Sequence, residues 1–503
     1  MRHGKAAVVA GVLLMAMAGI ASAETTLKIG LAEDPDILDP TLARTFVGRI
    51  VFASLCDKLF DITADLKPAP QLATSYEWVD DNKGLIIKLR QGVTFHDGEP
   101  MNAEAVKYSL NRHLTMQGST RKGEIASIQS IDVVDDHTVK LTLSAPFSPL
   151  IAALSDRAGM IVSPKAAEAM KDKFGTAPVC AGPYKFVERV AQDRIVVQKF
   201  DKYWDKDKIH VDKIVFQPIP DNSVRIANLR SGGLDFIERV APTDIGQIKS
   251  DSNLQLASIA EIGYQGITIN IDNGPKSKNP LGQDARVRQA LDLSIDREGL
   301  NQALFNGEYV PGNQWVTPSN PYYVKSLPVP KRDVAKAKAL LKEAGVEHPS
   351  FTLMVPNTTE PQQVGQALQS MAAEAGFDIK LQATEFATAL DLSTKGDMEA
   401  FQIGWSGRVD PDGNIYNFNA CGAPLNDAHY CNQEVDKELK AARAVSDPAD
   451  RLKHYAAMAQ IVLKDLPIIY LYHRKWIYAL NKKVAGFTPY PDGLIRPQGL
   501  TVQ

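Results

Sequence analysis

The fold is decided by residues 351–381, FTLMVPNTTEPQQVGQALQSMAAEAGFDIKL. The first five residues form an apolar segment that is typical of a buried strand, and residues 377–381 form a second one. Between them, Val364, Leu368, Met371 and Ala375 fall on one helical face that ends at Gly376. A further short helix and an apolar strand at 400–403 follow. Strand, helix, strand, helix, strand at these spacings predicts parallel pairing through crossover helices.

The opening third of the chain has a different pattern. Residues 76–90 and 131–143 alternate between apolar and polar side chains, and Asp135-Asp136 predicts a hairpin turn in the second segment. Asn102 predicts the N-cap of a helix between these segments. We therefore expect an α+β part with antiparallel strands, followed by an α/β part. Together they predict two lobes, the second starting near Tyr264.

Length and composition place the chain among ordinary globular proteins. It has 503 residues, of which 44% are hydrophobic and 23% charged, and its net charge is -3. This length predicts more than one domain or a large two-lobed body, and the composition excludes a disordered chain. Nucleic acid is an unexpected partner, because the sequence offers neither a basic excess nor a basic run.

The first residues have the three regions of an export signal. Arg2 and Lys5 precede the apolar stretch Ala6 to Ile20, which is too short to span a bilayer comfortably. The following Ala21-Ser22-Ala23 suits a signal peptidase. We therefore expect residues 1–23 to be removed after Ala23 and the protein to lie in the periplasm, without a lipid anchor.

Export makes the four cysteines candidates for disulfide bonds. Cys421 and Cys431 lie ten residues apart in a stretch with the composition of a loop, which predicts a local bridge. Cys56 and Cys180 then pair by elimination. A zinc site is the alternative, but no Cys-x-x-Cys or His-x-x-x-His spacing supports it.

Motifs that would indicate an enzyme or a metal site are absent from the sequence. There is no Gly-x-Ser-x-Gly, no P-loop, no Gly-x-Gly-x-x-Gly and no His-Glu-x-x-His. His96-Asp97-Gly98 is more simply a turn, and the acidic run from Asp410 to Asn414 lacks the spacing of a calcium-binding EF-hand. We expect no catalytic residue, no metal and no cofactor.

Candidate ligand-binding residues follow the strand at 400–403. Trp405, Arg408 and Asp410 come directly after it, and ligands of open parallel sheets bind beyond the carboxyl ends of strands. Arg408 is suited to a carboxylate, because its planar guanidinium group donates two parallel hydrogen bonds. Two alternatives stay open: Arg408 clamps Asp410 or Asp412, and Trp405 belongs to the core.

Four sequence strings resemble a known family in order and spacing. They are LRQGVTFHDG at 89–98, AGPYKF at 181–186, LRSGGLD at 229–235, and RVRQA at 286–290 with IDR at 295–297. They resemble the signature strings of the family 5 extracellular solute-binding proteins. These are the binding components of peptide, oligopeptide and nickel ABC importers.

The resemblance implies a mixed α/β, two-lobed periplasmic binding protein fold of the large type. Lobe one would comprise residues 24–263 with an inserted subdomain at about 57–178. Lobe two would comprise residues 264–481, and residues 482–503 would return to lobe one. It also implies a small-molecule solute and an inner-membrane ABC permease as partners, and no catalysis. We expect a monomer.

Further site residues are implied by analogy with the family. Arg44, Thr45 and Phe46 follow the first strand of lobe one, where relatives line their pocket, and Tyr264 lies at the crossing into lobe two. Trp315 would cover an apolar part of the solute, although a core position explains it equally well.

The chain departs from the pattern of peptide carriers at two places. Dipeptide and oligopeptide binders carry an aspartate, which holds the peptide amino group, where this chain has Arg408. The arginine of dipeptide binders is missing from the stretch Leu353 to Asn357. We therefore hypothesise an anionic or amine-blocked solute, or a peptide bound in another register. The alternatives are uptake of a metal chelate or haem and, from another class, a periplasmic hydrolase.

Overall fold

The computed structural model describes Met1 and residues 24–503. The predicted export signal and its cleavage site after Ala23 lie outside the described residues. In the described part, no helix is both long and apolar enough to cross a membrane.

In residues 24–503, twenty-one strands build three larger sheets and two short ribbons. In chain order they are β1 Thr26–Leu31, β2 Phe60–Ile62, β3 Pro68–Pro70, β4 Ala73–Val79, β5 Gly84–Leu89, β6 Ile128–Asp135, β7 Thr138–Leu143, β8 Tyr184–Val190, β9 Arg194–Lys199, β10 Lys213–Pro218, β11 Phe236–Ile237, β12 Leu254–Ala260, β13 Tyr264–Ile269, β14 Val310–Pro311, β15 Ser350–Pro356, β16 Asp378–Thr384, β17 Ala400–Trp405, β18 Ile468–His473, β19 Lys475–Asn481, β20 Val484–Ala485 and β21 Thr501–Val502.

Sixteen α-helices of the described part of the chain connect and cover these sheets. They are α1 Phe46–Leu55, α2 Ala103–Thr115, α3 Lys122–Ile125, α4 Leu150–Ala153, α5 Pro164–Met170, α6 Asn222–Ser231, α7 Ile245–Ser250, α8 Pro280–Gln283, α9 Ala285–Ser294, α10 Arg297–Phe305, α11 Val334–Glu343, α12 Thr359–Ala373, α13 Phe386–Thr394, α14 Asp412–Asn419, α15 Gln433–Ala444 and α16 Pro448–Asp465.

Side-chain caps explain where several of these helices begin. The Asn102 side chain accepts the backbone N–H of Ala105 at 3.1 Å, as the sequence predicts for α2. Asp333 and Asp447 cap α11 and α16 in the same way. In α16 the cap is followed by Pro448 at the first helical position, where its missing N–H costs no hydrogen bond.

The first lobe is centred on a seven-stranded sheet of order β12-β19-β11-β1-β10-β9-β8. The central strand β1 pairs in parallel with β10 and β11, and the outer pairs are antiparallel. A separate four-stranded antiparallel sheet, β4-β5-β7-β6, lies between α1 and β8 in the chain. The predicted hairpin is confirmed, because β6 and β7 pair across Asp135 and Thr138.

The second lobe is centred on a six-stranded sheet of order β14-β18-β13-β17-β15-β16. The parallel arrangement predicted from residues 351–403 is confirmed, because β15 pairs in parallel with both β16 and β17. Helix α12 provides the first crossover, and Val364, Leu368 and Ala372 are buried on it. The sheet therefore directs the carboxyl ends of β15 and β17 toward the same edge.

The chain passes between the two sheets at two places. It leaves the first sheet after Ala260 and enters the second at Tyr264, and it returns between His473 and Lys475. The predicted return at residue 482 is too late, because β19 pairs along its length with β12 of the first sheet. The run from Ile468 to Leu480 is apolar on both sides of His473-Arg474-Lys475, and this polar triplet is the change of composition that marks the return.

Both predicted cysteine pairs are bonded. Cys56, at the end of α1, is joined to Cys180, and Cys421 is joined to Cys431 in the loop before α15. The first bond links segments that are 124 residues apart in sequence, and the second links segments that are 10 apart. No free cysteine is left among the residues that the structure describes.

Replacing Cys56→Ser together with Cys180→Ser is expected to lower the free energy of unfolding by about 5 kcal/mol, because the bond restricts a long loop of the unfolded chain. The pair Cys421→Ser with Cys431→Ser serves as the comparison, and its expected loss is about 3 kcal/mol. Urea unfolding followed by tryptophan fluorescence measures both. Equal losses would contradict the dependence on loop length.

Candidate functional site

A cavity lies between the two lobes. Lobe one contributes Phe46 and Trp476 to its wall, and lobe two contributes β17 with residues 402–405 and the following Ser406. The Phe46 and Trp476 rings stack with centroids 4.3 Å apart and planes within 9° of parallel. Across the cavity, the Trp405 ring meets Phe418 edge-on at 4.8 Å. The middle of the cavity therefore presents flat apolar surfaces.

One end of the cavity is cationic. Arg121 and Arg157 line it and are fully buried. Arg49 and Arg408 lie directly behind them, and both form ion pairs with Asp156. Arg121 is paired with Glu124. Four guanidinium groups thus share two carboxylates at this end.

Arg157 and Arg408 are the least satisfied members of this cluster, and Arg157 is the one that lines the cavity. Its Nη1 donates to the Ala43 carbonyl at 2.6 Å, and its Nε lies 3.6 Å from an oxygen of Asp156. Within residues 24–503, neither Nε nor Nη2 has a hydrogen-bond partner. Burial and the neighbouring Arg121 and Arg408 hold the pKa of Arg157 well below its usual value. Because a guanidinium stays charged in proteins, such a group is stabilised by an additional anion.

The other end of the cavity is mixed in charge. Glu33 accepts from Arg239 Nη1 at 2.6 Å, and Arg239 Nε donates to Glu238 at 2.8 Å. Arg474, at the return crossing, donates to Glu360 at 2.7 Å. Arg239 and Arg474 are held by carboxylates at 2.6 to 2.8 Å, whereas Arg157 and Arg408 lie 3.5 to 3.6 Å from the Asp156 that they share.

Three predicted site residues line the cavity: Arg44, Phe46 and Trp405. Arg44 also spans the two lobes, since its Nη2 lies 2.8 Å from Asp427. The Trp405 indole N–H donates to Asn414 at 3.0 Å, which fixes the ring against the cavity wall. Contact of these three residues with a solute stays a prediction.

Three others lie away from this cavity. Thr45 is fully buried and caps α1 through its hydroxyl, which accepts from the Gly48 backbone at 3.3 Å. Tyr264 packs edge-on against Tyr470, and Trp315 is fully buried against Tyr455. The side chains that the sequence assigned to the pocket are thus a helix cap and two core aromatics.

Arg408 and Asp410 also lie outside the wall of this cavity, and their contact with a solute stays a prediction. Arg408 is 7% exposed, stacks on the Trp405 ring at 4.1 Å and lies 3.5 Å from Asp156 of lobe one. Its partner is therefore neither of the predicted acids. Asp410 instead pairs with both terminal nitrogens of Arg451, at 2.7 and 2.8 Å.

Sequence reasoning missed the polar residues that do line the two ends, which are Glu33, Arg121, Arg157, Arg239 and Arg474. Each follows or precedes another charged or polar residue, as in Asp156-Arg157, so each resembles a solvated turn. The one available signal was Arg474, a charge within an apolar run that extends from Ile468 to Leu480.

Glu261 connects the two crossings between the lobes. Its N–H donates to the Arg474 carbonyl at 3.1 Å, and its Oε1 accepts the Arg474 N–H at 2.6 Å. Its Oε2 has no partner in the described part of the chain. Burial raises the pKa of Glu261 to about 7, although Arg474 opposes the change.

Comparisons with known proteins agree with this arrangement. Residues 67–426 match the model of the bacterial extracellular solute-binding proteins, family 5 Middle. The chain belongs to this family.

Its relatives are binding proteins. The chain is 32% identical over 468 residues to the glutathione-binding protein GsiB of Salmonella typhi, covering 90% of each chain. Among solved structures it resembles the PBP AgaA from A.tumefacien R10 in complex with agropinic acid, with 30% identity and a TM-score of 0.87 over 95% of this chain and 99% of that one. The fold also matches a dipeptide binding protein from pseudoalteromonas sp. SM9913, with 20% identity and a TM-score of 0.88 over 95% and 100% of the chains.

The expected family and the two-lobed fold are therefore confirmed. As a family 5 protein, the chain is a periplasmic solute-binding component of an ABC importer. Such proteins bind peptides or related small solutes, and the cavity described above is lined by residues of both lobes.

The substitution Glu261→Gln is expected to change how stability depends on pH. The carboxyl of the unfolded chain loses its proton near pH 4.5 and that of the folded chain near pH 7, so the wild type loses stability between these values. Removing the group removes that loss, which amounts to about 3 kcal/mol. The variant should therefore gain stability relative to the wild type between pH 4.5 and 8.

Urea unfolding at a series of pH values measures this difference. The control is Glu99→Gln, because the Glu99 carboxylate is exposed and pairs with Lys165. Parallel profiles for the wild type and Glu261→Gln would contradict the raised pKa.

Proposed function

We propose that this protein binds a small organic anion and places a carboxylate of that solute against Arg121 and Arg157. The observation that carries the proposal is the excess of buried positive charge at that end of the cavity. Arg49, Arg121, Arg157 and Arg408 face Asp156 and Glu124 there, which leaves a formal charge of +4 - 2 = +2.

The hydrogen-bonding state of the cluster supports the same conclusion. Nε and Nη2 of Arg157 lack partners among the described residues, although Arg157 is fully buried. Buried polar atoms are nearly always satisfied, and a planar guanidinium group matches the two oxygens of a carboxylate. A carboxylate would supply both the missing acceptors and the missing negative charge.

An ammonium group at the same end is disfavoured. It would face the excess of guanidinium charge, and leaving a buried charge without its partner costs about 2 to 5 kcal/mol. The sequence hypothesis of a cationic site near Trp405 is kept, but the residues that provide the charge change. The charge comes from the arginine cluster behind Trp405. Arg408 belongs to this cluster and stacks on the Trp405 ring without lining the cavity.

The related proteins are consistent with a solute that carries carboxylates. GsiB is named for glutathione, and AgaA was solved with agropinic acid. We propose a solute of this general kind for the present chain. The metal-chelate alternative has less support, since no three His, Cys, Asp or Glu side chains converge as a metal site in the described part of the chain.

We also propose that the protein performs no catalysis. Ser406 lines the cavity and accepts from Arg49 at 2.9 Å, and no histidine joins it in the cavity wall of the described chain. A serine nucleophile would need a base within hydrogen-bond distance. Export with cleavage after Ala23, action as a monomer and delivery to a cognate inner-membrane permease complete the proposal.

Blocking the carboxylates of the solute is expected to abolish binding to the wild type. Calorimetric titration tests this by comparing glutathione with its diethyl ester. The same measurement compares the dipeptide Met-Leu with its carboxamide. We expect the free acids to bind at least 30-fold more tightly, because the ester and the amide lack the charge that the cluster requires. Equal affinity of the free and blocked members would overturn the proposal.

Arg157→Met is expected to weaken binding of the free acids at least 30-fold. The matched control is Arg194→Gln, since Arg194 is an exposed arginine on β9 far from the cavity wall. Thermal unfolding of both variants, measured without solute, checks that the fold is retained. Unchanged affinity in Arg157→Met would contradict the role assigned to the cluster.

A further inference from the structure

The mixed end of the cavity contains a carboxylate that is only half satisfied. Glu33 follows β1, lines the cavity and is 7% exposed. Its Oε1 accepts from Arg239, but its Oε2 has no hydrogen-bond partner within the residues that the structure describes. A buried carboxylate oxygen in a cavity wall therefore awaits a donor.

The Glu33 carboxylate is held rigidly in place. Arg239 reaches it from the segment after β11, where the backbone has a φ of 50°, a left-handed conformation that is uncommon for arginine. The same guanidinium group donates through Nε to Glu238, which in turn accepts from the Ala32 N–H at 2.6 Å. Glu33 and Glu238 thus fix Arg239 from two sides, and Arg239 fixes Glu33.

The charge at this end is less positive than the charge at the opposite end. Glu33, Glu238 and Arg225 contact Arg239, and Glu261 and Glu360 contact Arg474. With Glu261 ionised their formal charge is -4 + 3 = -1, and with Glu261 protonated it is 0, whereas the opposite end has a charge of +2. The cavity is therefore polarised along its length.

We propose that Glu33 is the specificity-determining residue that binds an ammonium group of the solute. This deepens the proposed function and rests on it: the solute would be a zwitterion of the amino-acid or peptide type, with a carboxylate at Arg121 and Arg157 and an amine at Glu33. Between these ends, the stacked Phe46 and Trp476 rings would cover its middle.

The proposal reverses the polarity that the sequence comparison assigns to peptide carriers. In those relatives the amine is expected on the side of the strand-end tryptophan, which in this chain is the side of Trp405 and Arg408. Here that side is cationic, and the described carboxylate with a free oxygen is at the other end. An amine-bearing solute therefore fits this cavity in one orientation.

Matched pairs of probes test the inference on the wild type. Glutathione is compared with N-acetylglutathione, and Met-Leu with N-acetyl-Met-Leu, by calorimetric titration. Acetylation removes the ammonium charge and leaves the carboxylates intact. We expect the free amines to bind at least tenfold more tightly than the acetylated members.

The substitution Glu33→Gln assigns the effect to this residue. It should weaken binding of the free amines at least tenfold, leave the acetylated members within threefold of their wild-type affinity, and so abolish the selectivity. Glu99→Gln, at an exposed carboxylate, is the control and should retain it. The wild-type comparison remains decisive if Glu33→Gln does not fold.

The outcomes separate the two proposals. In one outcome, the wild type binds free acids more tightly than esters but binds free amines and acetylated amines equally well. This result would keep the carboxylate site and overturn the role of Glu33. It would indicate that a hydroxyl or amide donor of the solute contacts Glu33 instead. Undiminished selectivity for the free amine in Glu33→Gln would also overturn it. Failure of every free acid to bind would overturn the proposed function and this inference with it.

Discussion

The structure depends on one buried carboxylate that is shared among arginines of both lobes. Asp156, in the first lobe, contacts Arg49 and Arg157 of its own lobe and Arg408 of the second. Taking these charges out of water is costly, and one carboxylate compensates three guanidinium groups incompletely. The remaining demand for negative charge faces the cavity through Arg157. The proposed preference for an anion thus follows from how the lobes meet.

The two ends of the cavity are built on different parts of the molecule. The mixed end includes Arg474, which is joined to Glu261 at the neighbouring crossing, so it lies on the hinge itself. The cationic end requires Arg408 of lobe two to approach Asp156 of lobe one. The mixed end is therefore built at the crossings between the lobes, whereas the cationic end is complete only where the two lobes meet.

Much of the fold could be predicted because its signals are local. The β15-α12-β16 unit, the β6-β7 hairpin and the caps Asn102, Asp333 and Asp447 depend on residues that are close in sequence. The sequence reading places the return to lobe one too late, because β18 and β19 are equally apolar and only a short polar triplet separates them. Both are buried, and burial does not distinguish one sheet from another.

The site could be predicted only in part, for a related reason. Phe46 begins α1 and Trp405 ends β17, and both line the cavity, as topology suggests. The charged residues are set by long-range pairs: Arg49 meets Asp156 across 107 residues, and Glu33 meets Arg239 across 206. No pattern in the sequence reports such pairs. The position of Arg408 was informative, but its effect acts through the cluster behind Trp405.

The polarity of the cavity follows from these pairings taken together. A cation at the position where peptide carriers hold an amine would by itself only exclude solutes that place an amine there. Combined with Glu33 at the opposite end, it defines a direction: negative solute charge toward Arg157, positive solute charge toward the hinge. Reversing a solute in this cavity would place each charge against its like, so both ends would oppose binding at once. Orientation is thereby selected by repulsion as well as by attraction.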